Sequence, residues 1–72
     1  MSGLQKRLSS LRENKRLFQK DISEENNISL RTYQSYERGE REPTIDTLIK
    51  LADYYDVSLD YLIGRSDVKQ RR

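Results

Sequence analysis

Four side chains within one short stretch of the sequence have the chemistry to recognise the edges of nucleic-acid bases. The stretch is 30–38, LRTYQSYER, and the four are Leu30, Arg31, Gln34 and Ser35. Arginine can fork two hydrogen bonds to guanine, glutamine can pair with adenine, and serine can pair with either base. Leucine offers an apolar contact for the methyl group of thymine. A solvated helix face carries a similar mixture, so the residue types alone leave that alternative open.

These side chains need helices to position them, and the sequence predicts two short helices with a tight break between them. We expect the first over about 19–25 and the second after Ser29, ending at Gly39. Ser29 is a good N-cap, and glycine readily adopts the left-handed conformation that ends a helix. Asn27, in the break, belongs to a residue type that tolerates a positive φ. We interpret this stretch as a helix-turn-helix.

Amphipathic segments on both sides predict the scaffold. Leucines recur at helical spacing over 4–11, which indicates a helix over about 3–15, and Leu17 and Phe18 are expected to return to the core. Thr44 and Ser58 are good caps for two further helices. Those helices are expected over 45–55 and 59–63, with Gly64 ending the last. The predicted fold is all-α, with five short helices.

Length and composition exclude several classes of protein. The 72 residues suffice for one small domain, which buries only about 60% of its unfolded surface. The chain has no cysteine and no histidine, which excludes disulfides, zinc fingers and imidazole catalysis. Paired acids such as Glu24 and Glu25 occur, but no constellation supports a nucleophile, metal or cofactor site. We therefore expect no enzyme activity, no cofactor and no metal.

The same composition sets an expectation for location. No apolar run approaches the roughly 18 residues of a membrane span, and no signal peptide is visible. We expect a cytoplasmic protein with no membrane contact. With 72 residues, we also expect no separate domain for a ligand or for oligomerisation.

The net charge is only +2, but the charges are unevenly distributed. Residues 1–20 carry six basic groups and one acid, whereas residues 43–64 carry one base and four acids. Residues 65–72 carry four bases and one acid, and we expect them to form a basic, flexible tail. One side of the domain is expected to suit a polyanion, although an ordinary mixed surface is the alternative.

The chain resembles the Cro and phage-repressor type of helix-turn-helix protein, often called XRE-like. The resemblance covers about residues 4–64. It implies a compact five-helix, lambda-repressor-like domain over 1–64, with the helix-turn-helix formed by helices 2 and 3. The matching residues are Leu11-Arg12, Gln19, Ile22-Ser23, Ile28-Ser29, Tyr36 to Arg41, Pro43-Thr44 and Leu48 to Gly64.

The resemblance implies a partner and roles for individual residues. Its members bind double-stranded DNA, commonly as dimers on near-palindromic operators, and the third helix enters the major groove. The implied base-reading residues are Leu30, Arg31, Gln34 and Ser35. The implied contacts to the DNA backbone are Gln19, Thr32, Arg38 and Arg41.

The resemblance also implies a structural ion pair between Arg12 of helix 1 and Glu37 at the end of helix 3. Such a pair would lock the helix-turn-helix to helix 1. Two independently solvated charges are the alternative.

Four positions depart from the family pattern. Phe18 stands where the family often has a serine or threonine cap, and Arg16 and Asn27 stand where it often has glycine. Asn26 replaces an apolar residue at the edge of the core, which costs free energy unless its amide is hydrogen-bonded. These departures affect the boundaries expected for helix 2 and the angle of its N-terminus.

Three classes of function follow from these observations. The leading expectation is a DNA-binding transcriptional regulator, most readily a repressor. An antitoxin or restriction-modification controller would bind its own promoter by the same mechanism. A protein-interaction module, such as an antirepressor or adaptor, would keep the fold without binding DNA. An acidic or apolar outward face on helix 3 would have favoured that last class, and Arg31, Gln34 and Ser35 do not provide one.

A homodimer is expected to form through the end of the domain that carries helices 4 and 5. Apolar side chains there would supply the contact surface, or would simply complete a small core. They are Tyr54, Leu59, Tyr61 and Ile63.

Overall fold

The computed structural model describes residues 2–70, with Ser2 described by its backbone alone. These residues form an all-α fold of five helices, as predicted, with extents of 29 × 22 × 20 Å. The helices are α1 (Ser2–Asn14), α2 (Gln19–Glu25), α3 (Leu30–Arg38), α4 (Ile45–Tyr55) and α5 (Leu59–Leu62).

Local capping explains why three of the helices begin where they do. The Ser29 hydroxyl accepts a hydrogen bond from the Thr32 N–H at 3.1 Å, which starts α3. The Thr44 and Ser58 hydroxyls make the equivalent bonds at the starts of α4 and α5. Gly39 ends α3 at φ 75°. The predicted caps and the predicted glycine stop are confirmed.

The core is built from the inward faces of all five helices. Six of its members have less than 2% of their surface exposed. Because α3 contributes Tyr33 to this core, its opposite face is held toward solvent. The fully buried side chains are Leu8, Ile22, Tyr33, Leu48, Leu51 and Leu62.

The start of α1 and the end of α5 approach each other through two glycines. A Cβ placed on Gly3 would lie 2.7 Å from the Gly64 Cα and 3.0 Å from the Ile63 carbonyl oxygen. Both neighbours are backbone atoms that cannot rotate away. The two helices can therefore meet this closely only without a side chain at position 3.

The expectation that Phe18 returns to the core is wrong. Its side chain is 76% exposed, while Leu17 is half-buried. Phe18 is the N-cap residue of α2 and has an extended backbone. Ile22, one turn further on, fills the core position instead and is fully buried. The Phe18 ring thus points outward from an extended N-cap position, while the helix that follows packs on the core through Ile22.

The other departures from the family pattern are accommodated by the backbone or by hydrogen bonds. Arg16 and Asn27 adopt φ values of 57° and 56°, so both occupy the left-handed region in which glycine is favoured. The buried Asn26 amide donates to the Ile22 carbonyl at 2.9 Å. The Asn26 carbonyl accepts from the Lys50 ammonium at 3.1 Å. The polar group at the core edge is thus satisfied.

Residues 65–70 make specific contacts with the helical body, which the expectation of a flexible tail did not include. The Ser58 N–H donates to the Lys69 carbonyl at 2.8 Å, and the Ser58 hydroxyl donates to the Val68 carbonyl at 3.1 Å. The Arg7 guanidinium pairs with the Asp67 carboxylate at 2.9 Å. The last two residues of the expected tail, Arg71 and Arg72, lie outside the described residues.

Candidate nucleic-acid interface

The outer face of α3 is open to solvent at both ends of the helix and partly covered in the middle. Tyr33 and Tyr36 turn inward, with 0% and 7% exposure, and so fix the rotation of the helix. On the outer face, Leu30 is 39% exposed at the first turn, and Arg31 and Arg38 are exposed. This face is therefore available to a partner without any rearrangement of the core.

A shallow polar cleft of about 370 Å³ runs beside the outer face of α3. Three arginines line it, together with one acid and two hydroxyl groups, so its charge is predominantly positive. It brings together five of the eight residues expected to contact DNA. The lining residues are Arg31, Thr32, Ser35, Arg38, Glu40 and Arg41.

The arginines of the cleft differ in how far they are already engaged. Arg38 donates to the Glu40 carboxylate at 3.0 Å, and this bond holds the pKa of Glu40 below its ordinary value. Arg31 and Arg41 make no hydrogen bond or ion pair with any side chain in the described part of the chain. An anion can therefore bind Arg31 or Arg41 without displacing any partner, and Arg38 keeps further N–H donors for an anion beside its bond to Glu40.

The hydroxyl groups of the cleft are largely turned toward the helix. Ser35 is only 9% exposed, and its hydroxyl donates to the Thr32 carbonyl at 2.6 Å. The Thr32 hydroxyl accepts from the Ser29 hydroxyl at 2.8 Å. Ser35 is thus the least accessible of the four expected base readers.

The other three expected contact residues, Leu30, Gln19 and Gln34, do not line the cleft, and the two glutamines are bonded to each other. The Gln34 amide donates to the Gln19 side-chain oxygen at 3.1 Å. The Gln19 amide in turn donates to the Glu37 carboxylate at 3.0 Å. Each glutamine keeps one free amide N–H, because a side-chain amide has two donors. Both are therefore held in fixed orientations beside the outer face of α3.

Arg12 and Glu37 form a bidentate ion pair between α1 and α3. The guanidinium donates at 2.8 Å through Nε and at 3.1 Å through Nη2, and its Nη1 donates to the Leu17 carbonyl at 3.0 Å. Only 15% of the Arg12 side chain and 6% of the Glu37 side chain are exposed. The pair ties α3 both to α1 and to the turn before α2.

The environment of Glu37 shifts its protonation equilibrium. Burial alone would raise the pKa of Glu37, but the hydrogen bonds from Arg12 and Gln19 outweigh it and lower the pKa below its ordinary value. The Ser9 hydroxyl also donates to Glu37 at 3.3 Å. Sequence reasoning missed Ser9, although its place three residues before Arg12 puts both on one face of α1.

Other kinds of site find no support in the described part of the chain. Among residues 2–70, no group of three acidic side chains is placed to hold a metal ion. Of the helices formed by these residues, none is both long and apolar enough to cross a membrane.

The sequence and the fold are both similar to those of known proteins. A family model described as "Helix-turn-helix" matches residues 8–62. The regulator ImmR of Bacillus subtilis, described as an HTH-type transcriptional regulator, is 41% identical over 69 residues, which is 96% of this chain and 54% of that protein. The cryptic phage CTXphi transcriptional repressor RstR of Vibrio cholerae is 39% identical over 62 residues, covering 86% of this chain and 55% of that protein.

A solved structure has the same fold. A transcriptional regulator from Listeria innocua superposes with a TM-score of 0.80 at 38% identity, covering 85% of this chain and 57% of that one. This chain spans about half the length of the curated relatives it matches. The similarity therefore concerns one part of those proteins.

Proposed function

This chain belongs to the helix-turn-helix family of transcriptional regulators, and from that premise we propose that it represses transcription by binding a specific sequence in double-stranded DNA. The observation that carries the proposal is the exposed outer face of α3 beside a cleft lined by three arginines. A buried ion pair holds that face rigidly, so little ordering is needed on binding.

In the proposed complex, α3 enters the major groove with its N-terminal turn leading. Leu30 and Arg31 lie on that turn, so they are the first to contact bases. Leu30 makes an apolar contact to thymine, and Arg31 makes a bidentate contact to guanine. Gln34 keeps its oxygen and one amide hydrogen for adenine. Ser35 reaches a base only if its bond to the Thr32 carbonyl is exchanged.

The phosphate backbone is contacted from the two sides of α3. Arg38, Arg41 and Thr32 supply contacts at the cleft, and Gln19 supplies one on the opposite side with its free amide hydrogen. Phosphate contacts fix register and affinity, whereas base contacts fix sequence. The relatives named above are bacterial or carried by a bacterial phage, so the proposed place of action is the cytoplasm.

We further propose that two copies bind a near-palindromic operator by pairing through their α4–α5 ends. Apolar side chains at that end are only half-buried, so they can lose more surface on association. They are Tyr54, Leu59, Tyr61 and Ile63.

Salt dependence of binding tests the proposed DNA contact. We expect the wild type to bind a duplex of random sequence at low salt, with a log–log slope of about −0.9 per phosphate neutralised. Arg41→Gln should make the slope less steep by about 0.9. Arg65→Gln, an exposed arginine after α5, should leave the slope unchanged. No binding by the wild type, or a flat salt dependence, would contradict the proposal.

A further inference from the structure

Phe18 is the most exposed large apolar side chain among residues 2–70, at 76%. It also occupies the N-cap of α2, where serine, threonine, asparagine or aspartate would accept a hydrogen bond from the first turn. A phenyl ring cannot accept that bond. The side-chain bond at this cap runs the other way, from the Phe18 N–H to the Asp21 carboxylate at 2.7 Å. The Phe18 side chain therefore serves neither the core nor the helix start, and such conflicts between a residue type and its position are expected at functional positions.

The surroundings of Phe18 are basic on balance, with three cations against the Asp21 carboxylate within three residues of it. Lys15, Arg16 and Lys20 are exposed within three residues of it. The side chains of Lys15 and Arg16 make no hydrogen bond or ion pair within the described part of the chain, and Lys20 lies 4.0 Å from an exposed glutamate. Protein–protein interfaces are depleted in lysine, so this setting suits an anionic partner better than a protein.

The position of Phe18 is next to the outer face of α3. The following residue, Gln19, is hydrogen-bonded to Gln34 and to Glu37, so the start of α2 lies beside the middle of α3. The major groove is only about 12 Å wide and is filled by one helix. A segment that flanks this helix, such as the start of α2, therefore meets the sugar–phosphate backbone at the rim of the groove.

We propose that the Phe18 ring packs against the deoxyribose of the DNA backbone at the rim of the groove. The basic side chains of Lys15, Arg16 and Lys20 bind the neighbouring phosphates. This contact rests on the proposed function and adds to it an apolar anchor that positions α2 on the duplex. Sugars present C–H groups to the ring, and the ring loses exposed apolar area on contact.

Replacement of the ring separates binding from folding. Phe18→Thr supplies the missing cap, so its melting temperature should equal or exceed that of the wild type. Its affinity for the random-sequence duplex should nevertheless fall roughly fivefold to tenfold, because apolar burial is lost. The salt slope should not change, since no charge is removed. Phe18→Tyr keeps the ring and should bind like the wild type.

Val68→Thr is the matched control, since Val68 is also exposed (46%) but lies after α5, where its carbonyl accepts from the Ser58 hydroxyl. It should bind like the wild type. Phe18→Thr binding within twofold of the wild type would overturn the inference and leave the proposed function standing. A change in oligomeric state without a loss of affinity would also overturn it, by assigning Phe18 to a contact between copies. If the wild type bound no duplex, both proposals would fail.

Discussion

Glu37 is the residue on which the helix-turn-helix depends most directly. It accepts hydrogen bonds from Arg12 and Ser9 on α1 and from Gln19 at the start of α2. The carboxylate is almost fully buried, so its charge must be compensated within the protein. One side chain thus sets the relative positions of three helices.

Loss of Arg12 should therefore destabilise the domain strongly. Arg12→Ala leaves the buried Glu37 charge without its main partner, and we expect the free energy of unfolding to fall by about 3 kcal/mol. Thermal melts of the wild type and of Arg12→Ala would measure this loss of stability. Lys6→Ala removes an exposed cation of the same helix and should change the free energy by less than about 0.5 kcal/mol. A melting temperature of Arg12→Ala close to that of the wild type would contradict this role of the pair.

Glu37 should also contribute a pH-dependent share of stability. Its pKa in the folded protein is lower than its ordinary value of 4.5, so its contribution is complete above about pH 4.5. The contribution is lost as the pH falls through the lower, folded value. Glu37→Gln should therefore differ most from the wild type near neutral pH and converge with it in acid.

Chemical denaturation at several pH values would measure this convergence. Glu13→Gln is the control. The Glu13 side chain is 69% exposed, and its carboxylate comes no nearer than 4.0 Å to the Arg12 guanidinium. A constant difference between Glu37→Gln and the wild type across the acid range would contradict the expected linkage.

At the scale of elements, the helices whose first or last residues carry a local signal were predictable from the sequence. Serine or threonine caps and the Gly39 stop act within a few residues, and the bounds of α3 and α4 agree with those expected. The bounds of α2 also agree, although its N-cap is Phe18. The outward direction of Phe18 was not predictable, because it depends on the angle at which α2 meets the core. Its hydrophobicity alone indicated burial.

The connections between polar side chains were only partly predictable. The Arg12–Glu37 pairing followed from a family resemblance. The bond between Gln19 and Gln34 depends on the packing distance between α2 and α3, which no local signal sets. For the same reason, the contacts of Lys69 and Val68 with Ser58 were not foreseen. Charge and composition suggested a flexible tail, but the bonds from Ser58 are accepted by backbone carbonyls, whose presence does not depend on side-chain type.

The turn between α1 and α2 carries backbone strain that a glycine would relieve. Arg16 has a φ of 57°, which disfavours a residue with a Cβ. Arg16→Gly should raise the free energy of unfolding by about 0.5 kcal/mol, after allowance for the greater freedom of glycine in the unfolded chain. Lys15→Gly, which removes the same charge at a neighbour without a positive φ, should lower it. Urea denaturation of both variants would measure these changes in the free energy of unfolding. A destabilised Arg16→Gly would contradict the backbone strain assigned to Arg16.

At the scale of the whole molecule, the apolar α4–α5 end and the basic α3 face suit two different partners. Tyr61 is the best probe of the first, because its ring lies 3.9 Å from the Arg7 guanidinium and 5.7 Å from the Lys69 ammonium. Tyr61→Asp would keep an attraction to both cations, so the domain should stay folded. The new charge should oppose pairing, and sedimentation should shift toward monomer.

Ser10→Asp controls for the added charge, since Ser10 is exposed on α1. It should sediment like the wild type. A Tyr61→Asp protein that remained as dimeric as the wild type would reject this pairing surface.

The central claim is that the outer face of α3 reads the sequence of duplex DNA. Selection from a random duplex pool at near-physiological salt, with the wild type and with Arg31→Ala in parallel, tests it most directly. We predict that the wild type enriches two inverted half-sites about one helical turn apart. Arg31→Ala should keep the half-site spacing and lose the preference at one guanine. Absence of any enriched sequence with the wild type, or an unchanged preference with Arg31→Ala, would contradict the claim.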